Sequence, residues 1–343
     1  CKPSGERFIG KGIIMSRNII GLDIGTSNIK IYSRDQDTIL NEKNIIAIAN
    51  KKDVYAFGDE AFEMHEKAPD NINVSFPVKY GVIADFDNMQ VLFTEFIRKI
   101  EHAVKKIPPA DYYVAVPTGI TEVEKRAFLE LADDPSIHAK RIMVINKPVA
   151  DALGAGVEVM EAKGIMVVNI GADTTEISVL SLGGIVLSKA VKFGGNKLDE
   201  QIIGAKTAEY IKYELGSAIR EEEHSVDVFG RHIVTGLPTK CSISSDVVYE
   251  CMIDFIRQII DAIKTILERT PPELSADIID TGIYLTGGSS AIRSLSQLIN
   301  SETELHVNIS ENPSECVVRG IKKIIDNPKY SEIAYIPKER IID

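Results

Sequence analysis

Two short stretches of this sequence place small polar residues around a glycine, a composition that can bind an anion. The first, IIGLDIGTSNIKIY, covers residues 19–32, and the second, MVVNIGADTTEISVL, covers residues 166–180. Each predicts an apolar strand, a tight turn and a second strand with alternating polar and apolar residues. Such a turn can present backbone N–H groups and hydroxyls to a phosphate, because no bulky side chain blocks the approach.

The two stretches align without a gap, which places Asp23 on Asn169 and Gly25 on Gly171. One glycine turn is weak evidence for a ligand, since tight turns connect strands in many proteins, and two ordinary turns remain the alternative. The repeat favours two equivalent turns that face each other and hold a polyphosphate from both sides. The candidate phosphate ligands are Gly25, Thr26, Ser27 and Asn28 in the first turn and Gly171, Ala172, Asp173 and Thr174 in the second.

A third glycine turn follows the short apolar strand Ile283 to Leu285. We expect Ser289 or Ser290 to cap a helix from Ala291 to Ile299, so that free N–H groups of the helix start favour an anion or a hydroxyl. Ligands of α/β domains bind beyond the carboxyl ends of the strands, so all three turns are predicted to line one cleft. The candidate ligands in the third turn are Gly287, Gly288, Ser289 and Ser290.

Strands and helices alternate in each half of the chain, and each half begins with one of the two similar stretches. An apolar stripe predicts a long helix that starts at Asp87 and ends at Pro108-Pro109. A second amphipathic pattern covers Asp246 to Arg269, where Pro271-Pro272 stops it, and Ser225 to Ile243 is irregular and strand-like. This order predicts two related α/β domains that face a cleft.

The composition argues against several classes of protein. The 343 residues suffice for two domains, and 44% hydrophobic with 26% charged residues is an ordinary globular composition. A formal net charge of −11 argues against non-specific nucleic-acid binding, because nucleic-acid phosphates would be repelled. The four cysteines are scattered without a C-x-x-C pair, which indicates reduced thiols and neither a zinc site nor a disulfide framework. We expect no membrane-spanning helix and no secretory signal.

Several motifs together resemble the MreB family of bacterial actin homologues, within the actin-like ATPase superfamily. They extend from about Ile19 to Ile325, and as a set they are highly specific. The motifs are LDIGTSN (22–28) for phosphate-1, NIGADTTE (169–176) for phosphate-2, LTGGSSA (285–291) for the adenosine loop, and the MreB-like stretches GVIADFD (81–87), VPTGITEVEKRA (116–127), TAEYIKYELGSA (207–218) and PPELSADIIDTGIYLTGG (271–288).

The resemblance implies an actin-like fold, a U-shaped monomer with four subdomains and ATP or ADP with Mg²⁺ in the cleft. It also implies cytoplasmic, membrane-associated filaments at the inner face of the membrane, which guide the cell-wall elongation machinery and determine rod shape. The implied division is an N-terminal extension (1–15), subdomain IA (16–49, 80–160 and 325–343), IB (50–79), IIA (161–199 and 255–324) and IIB (200–254).

The family pattern also implies roles for individual residues. Asp23 is the expected metal ligand and belongs to the catalytic centre, and Lys147 and Asn169 stand at two further catalytic positions. Glu209 and Lys212 match helix positions that meet the ribose and adenine. They lie one helical turn apart on one face, which also suits a plain solvated ion pair.

Three acidic positions of the family pattern carry other residues here. The family reads Glu-Pro where this chain has Lys147-Pro148, and Asp-Ile-Gly where it has Asn169-Ile170-Gly171. The family reads Gly-Gly-Asp where this chain has Gly194-Gly195-Asn196, in which Gly195 is a further candidate nucleotide contact. Ala172 and Asp173 replace two glycines of the phosphate-2 turn.

The replacements change the charge of the predicted cleft, which becomes about four units more positive than in the family pattern. The missing glutamate helps to place the attacking water, and hydrolysis needs magnesium held by carboxylates, often through its waters. Lys147 cannot act as a general base while protonated, and a neighbouring triphosphate keeps it protonated. We therefore expect weak or absent ATPase activity. The alternative is neutral drift, with Asp23 alone still holding the metal.

Three functions remain open at this point. The first is a filament-forming scaffold with nucleotide as a structural ligand, the second an ATPase that cycles between filament and monomer, and the third a non-polymerising regulator that caps or copolymerises with an intact MreB. The segment Asp199–Thr207 is roughly ten residues shorter than in the family, which can move the helix of Glu209. The loop Lys105–Tyr113 is a modest candidate membrane anchor, and the basic, apolar residues 1–14 are a weaker one, more simply a disordered tail.

Overall fold

The computed structural model describes residues 18–50, 53–103, 106–200, 205–231 and 237–337. The predicted N-terminal extension lies outside the described residues. So do residues 201–204 of the shortened segment and the first residue of the candidate membrane loop, Lys105. Among the described residues, no helix combines the length and the apolar composition that crossing a membrane requires.

Strands and helices alternate along the described residues. The strands are β1 (Asn18–Ile24), β2 (Asn28–Ser33), β3 (Thr38–Lys43), β4 (Ile46–Ala49), β5 (Asp53–Phe57), β6 (Ile72–Ser75), β7 (Val78–Lys79), β8 (Val82–Ile83), β9 (Ala110–Val116), β10 (Ala139–Asn146), β11 (Ile165–Ile170), β12 (Thr175–Ser181), β13 (Gly184–Val191), β14 (Ser225–Arg231), β15 (Pro238–Ser244), β16 (Ile283–Thr286) and β17 (Val307–Ile309). The helices are α1 (Asp59–Met64), α2 (Phe86–Ile100), α3 (Glu122–Asp133), α4 (Lys147–Gly154), α5 (Gly195–Glu200), α6 (Ala205–Leu215), α7 (Ser245–Arg269), α8 (Pro272–Thr281), α9 (Leu295–Thr303) and α10 (Cys316–Asp326).

Two five-stranded sheets share one topology, which confirms the prediction of two related α/β domains. The strand order is β3-β2-β1-β9-β10 in the first sheet and β13-β12-β11-β16-β17 in the second. In each sheet three consecutive strands pair antiparallel, and two later strands extend the sheet in parallel from the strand that opens the hairpin. β1 and β11 are the two strands that precede the predicted phosphate turns.

Helices α4 and α10 lie between the two sheets and pack against each other. One hydrophobic core contains buried residues of both sheets together with these helices. The approach is close because a glycine stands at each crossing point. A Cβ atom at Gly154 would overlap the carbonyl oxygen of Cys316, and one at Gly320 would overlap that of Ala150. The two halves are therefore joined by a tightly packed helix pair beneath the cleft.

The long helices differ from their predicted bounds mainly at their ends. Helix α2 starts after Asp85, whose carboxylate accepts a hydrogen bond from the Asn88 N–H at 3.1 Å, so the prediction of Asp87 as the cap was wrong. The helix ends at Ile100, well before the prolines, and His102 follows in a left-handed conformation (φ 49°). The apolar pattern of the sequence extends beyond the end of α2 because Ile107, which follows the helix, is buried in the same hydrophobic core as the helix.

Of two further predictions of local structure, the irregular segment needs correction, and the stop of the long helix at Pro271-Pro272 is confirmed. The segment from Ser225 to Ile243 includes a regular antiparallel hairpin of β14 and β15. Pro271-Pro272 ends α7 and also opens α8, because a proline is well accommodated in the first turn of a helix. Strands β4, β5 and β6 form a separate three-stranded sheet. The division into four subdomains stays a prediction.

The substitution Gly320→Ala tests the packing of α4 on α10. In an open helix this change would add about 1 kcal/mol of stability. Here we expect a loss of about 1 to 3 kcal/mol in the free energy of unfolding, because the methyl group has no space against α4. Urea denaturation measures the change. Gly230→Ala is the control, since a Cβ there meets no atom within 4 Å, and equal stability of the two variants would contradict the tight crossing.

Candidate functional site

A cleft of about 380 Å³ opens between the two sheets, and the two hairpin turns face it from opposite sides. The turns have matching geometry: the Gly25 N–H donates to the Asn28 carbonyl at 3.1 Å, and the Gly171 N–H donates to the Thr174 carbonyl at 2.8 Å. The prediction that both glycine turns line one cleft is confirmed. The predicted site residues that line it are Asp23, Gly25, Thr26, Ser27, Asn28, Lys147, Asn169, Gly171, Ala172, Thr174, Gly195, Glu209, Lys212, Gly287, Gly288 and Ser289.

Two predicted ligands, Asp173 and Ser290, do not line the cleft. The Asp173 carboxylate turns away from it and accepts hydrogen bonds from the Tyr80 N–H and the Asn196 side-chain amide, both at 2.8 Å. A carboxylate beside a phosphate would repel it, and these two donors hold Asp173 elsewhere. The buried Ser290 hydroxyl donates to the Gly287 carbonyl at 2.7 Å and is used within its own turn.

The third turn is built differently from the prediction. A short 3₁₀ turn covers Gly288–Ala291, and the α-helix begins only at Leu295, so the expected helix start at Ala291 was wrong. Gly287 adopts φ 83°, and a Cβ there would overlap the backbone of Ile170. The Ser289 hydroxyl donates to the Gly171 carbonyl at 2.9 Å, which ties the third turn to the second.

The centre of the cleft is a buried ion cluster of Asp23, Lys147 and Lys30. The Lys147 ammonium lies 3.1 Å from Asp23 Oδ1, and the Lys30 ammonium lies 3.8 Å from Oδ2. Burial alone would raise the pKa of Asp23, but the two lysines outweigh it and hold this pKa below its usual value. Burial opposes the charge of Lys147 as well, yet the Asp23 and Glu176 carboxylates raise its pKa. Asp23 and Lys147 are therefore both charged.

Lys30 was not among the predicted site residues, although the hairpin register identifies it. Asp23 and Lys30 are opposed in the β1–β2 pair, and Asn169 and Glu176 are opposed in the same way in the β11–β12 pair. The alignment of the two repeats thus places Glu176 at the position of Lys30. Glu176 lines the cleft and is buried, which raises its pKa to about 7 against the opposing effect of Lys147.

A second missed residue, Asp151 on α4, lies behind the cleft. Its Oδ2 accepts hydrogen bonds from the Asn169 amide at 2.8 Å and from the Thr286 hydroxyl at 2.6 Å. Complete burial raises the pKa of Asp151 to about 6. These contacts join α4 to β11 and β16, and they require a donor at position 169. The Asn169 amide therefore donates a structural hydrogen bond that an ionised aspartate at this position could not donate.

Polar contacts also line the opposite wall of the cleft. The Glu209 carboxylate lies 3.6 Å from the Lys43 ammonium, and the Lys212 ammonium donates to the Gly195 carbonyl at 3.2 Å. In all, four lysines and Arg293 line the cleft. A pocket of this size, with cations and glycine turns on its walls, fits a phosphorylated ligand.

The same residues do not fit a magnesium ion held by protein carboxylates. Asp23 was the expected metal ligand, and each of its oxygens faces a lysine ammonium group. Within the described ranges there is no group of three or more His, Cys, Asp or Glu side chains that could hold a metal ion. Mg²⁺ prefers several oxygen ligands in octahedral geometry, and adjacent ammonium groups repel it.

The contact between Asn169 and Asp151 makes a testable prediction. Asn169→Asp places two carboxylates in hydrogen-bonding contact and should lower the free energy of unfolding by about 2 to 4 kcal/mol. Adding Asp151→Asn restores one donor and should recover most of the loss. Thermal or urea unfolding of both variants measures the coupling. Asn71→Asp, the same change at an exposed position, is the control. Strictly additive effects of the two changes would contradict the contact.

The buried Glu176 predicts a pH dependence. Its pKa is raised in the folded protein, so the folded state binds the proton more tightly, and stability declines as pH rises from about 4.5 to about 7. Glu176→Gln removes this decline. Between pH 5 and pH 8 the variant should gain up to about 3 kcal/mol on the unsubstituted protein. Denaturation at both pH values measures the gain, the exposed Glu63→Gln serves as control, and a constant difference would refute the assignment.

The comparisons with known proteins agree with this geometry. The family model for the MreB/Mbl protein matches residues 17–333. The cell shape-determining protein MreB of Escherichia coli (strain K12) is 38% identical over 329 residues, which cover 91% of this chain and 94% of that protein. The cell shape-determining protein Mbl of Bacillus subtilis (strain 168) is 37% identical over 321 residues, 90% of this chain and 96% of that protein.

Solved structures show the same fold. MreB5 of Spiroplasma citri bound to ADP superposes with a TM-score of 0.85 at 32% identity, covering 93% of this chain and 98% of that one. The same protein bound to AMPPNP gives 0.85 at 31% identity, with 92% and 98% covered. The MamK double helical filament shares the fold, with a TM-score of 0.75, 21% identity and coverage of 91% and 99%. The chain belongs to the MreB/Mbl family of actin-like proteins.

Proposed function

We propose that this chain is an MreB-type cytoskeletal protein that binds ATP or ADP in its cleft and hydrolyses ATP weakly or not at all. The single observation that carries the proposal is the buried contact between Lys147 and Asp23 at the centre of the cleft. It supports phosphate binding, because a lysine is a point charge for a phosphate. It also argues against efficient hydrolysis, because a protonated lysine cannot place or activate water as a carboxylate does.

Nucleotide as the ligand is supported by the relatives and by the walls of the cleft. MreB5 of Spiroplasma citri was crystallised with ADP and with AMPPNP. In this chain the glycine turns at Gly25 and Gly171 can receive the phosphates, with Thr26 and Ser27 as hydroxyl donors. The candidates for the ribose and adenine remain Glu209 and Lys212, on the wall formed by α6, together with Gly287, Gly288 and Ser289.

Loss of hydrolysis is supported by the surroundings of all three altered positions. The Lys147 ammonium faces Asp23, and each oxygen of this carboxylate lies near a lysine ammonium group. Asn169 donates to Asp151, and Asn196 donates to Asp173. Each amide thus donates a hydrogen bond to a carboxylate that does not line the cleft. An active ATPase is the alternative, and Glu176 favours it, because a cleft-lining carboxylate with a pKa of about 7 is suited to accept a proton.

The cellular role follows from the family. We propose that the chain assembles head to tail into filaments at the inner face of the cytoplasmic membrane. There it would determine cell shape and guide the cell-wall elongation machinery. A regulator that copolymerises with or caps an intact MreB is the alternative. Electron microscopy and pelleting with ATP, with ADP and without nucleotide test self-assembly, and pelleting only beside an intact MreB would favour the regulator.

Phosphate release tests the loss of hydrolysis. The purified chain should release phosphate at least about tenfold more slowly than Escherichia coli MreB measured alongside, since the carboxylate that places water is missing. The variant Lys147→Glu with Asn169→Asp and Asp151→Asn returns two acidic groups and keeps a donor at position 151. It should gain magnesium-dependent release. A rate equal to that of the Escherichia coli protein in the unsubstituted chain would end the proposal.

The informative control is Glu176→Gln in the same assay. If the unsubstituted chain hydrolyses ATP and this change abolishes turnover, Glu176 is the base and the active-ATPase alternative is correct. If the triple variant binds nucleotide but stays inactive, the loss of hydrolysis has a further cause, for which Asp173 and the shortened segment before α6 are the candidates.

A further inference from the structure

We infer that this cleft binds nucleotide phosphates without a divalent cation, because Lys147 and Lys30 stand where the cation would bind and supply its charge. The inference rests on the proposed binding of nucleotide. It concerns the electrostatics of the site and is independent of whether the bound ATP is hydrolysed.

The first argument is the position of the two ammonium groups. They approach the two oxygens of one carboxylate, Asp23, from separate elements: Lys147 from the start of α4 and Lys30 from β2. Both lysine side chains are largely buried, with 17% and 12% of their surface exposed. They are thus fixed parts of the wall. A cation that bound Asp23 would have to displace both ammonium groups from its oxygens.

The second argument is how the backbone holds Lys147. The residue follows β10 directly and begins α4, and Pro148 restricts the backbone of this first turn. A positive charge at a helix N-terminus is unfavourable, because the helix dipole is positive there. A bound phosphate together with Asp23 would offset this unfavourable electrostatic interaction more fully than Asp23 does alone. The position therefore favours an incoming anion and disfavours an incoming cation.

The third argument is the balance of charge. Asp23, Lys30 and Lys147 together carry one net positive charge, and Lys212 and Lys43, the latter facing Glu209, also line the cleft. Magnesium normally compensates the phosphate charges and bridges their oxygens to carboxylates. Here the lysines already compensate that charge, and the described residues contain no acidic cluster to complete a metal site. An added divalent cation at Asp23 would meet repulsion from both lysines.

The inference predicts that nucleotide affinity is nearly independent of magnesium. The full chain is titrated calorimetrically with ADP and with AMPPNP, in excess Mg²⁺ and in excess EDTA. We expect dissociation constants that agree within about threefold between the two conditions. Lys147→Glu should bind at least about tenfold more weakly in EDTA than in Mg²⁺, because the variant pairs a second carboxylate with Asp23 and so needs the cation.

Lys163→Glu is the matched control, since it makes the same change in charge at an exposed position outside the cleft. It should retain the magnesium independence of the unsubstituted chain. Lys147→Met with Asp23→Asn, which removes both charges together, covers the case in which Lys147→Glu does not fold. It should bind more weakly than the unsubstituted chain in EDTA.

The outcomes separate the inference from the proposed function. Binding of the unsubstituted chain that weakens tenfold or more in EDTA overturns the inference and leaves nucleotide binding intact. Failure to bind either nucleotide under both conditions overturns the proposed function as well. Equal affinity in both conditions, lost in EDTA when Lys147 becomes Glu, establishes that the lysine replaces the cation.

Discussion

A buried ion pair between Asp23 and Lys147 is the interaction on which the cleft depends. Withdrawing each ion from water costs several kcal/mol, and the cost is offset only while the two remain in contact. Lys147 also opens α4, where the helix dipole opposes its charge, so Asp23 compensates two unfavourable effects at once. The pair links β1 to α4, and α4 packs on α10 in the core shared by the two sheets. The charge of the site and the position of α4 beside β1 are thus set by one contact.

The two hairpins share one backbone arrangement but present different side chains to the cleft. The first hairpin opposes Asp23 to Lys30, and the second opposes Asn169 to Glu176 at the same register positions. Because the turns are equivalent, the four side chains converge on one ligand volume from both sides. The first half neutralises its own acid with a lysine of the same hairpin. The second half presents an uncharged amide and a carboxylate whose pKa lies near neutrality. The asymmetry lies entirely in the side chains.

Two acidic groups next to the altered positions, Asp151 and Asp173, hold neighbouring backbone and side-chain donors and do not line the cleft. Asp151 holds the Asn169 amide and the Thr286 hydroxyl behind the cleft, and Asp173 holds the Tyr80 N–H across its mouth. The buried carboxylate of Asp151 needs donors, and its two contacts provide them. The amides of Asn169 and Asn196 are therefore each coupled to a nearby acid. This coupling favours a cleft adapted as a whole to bind an anion, over independent drift at separate positions.

The sequence by itself determined the two repeats, the third glycine turn and the α/β class, since glycine spacing and hydrophobic periodicity are local properties. Of the 18 site residues proposed from the sequence, 16 line the cleft, and Asp173 and Ser290 do not. Only the tertiary structure decided the partners. Lys30, Asp151 and Glu176 stand at the site because strand register and helix packing bring distant residues together. The helix expected after Gly288 begins later, at Leu295, because the turn instead packs against the Gly171 turn. Long-range contacts of this kind leave no periodic signal in the chain, and they decide which charges meet.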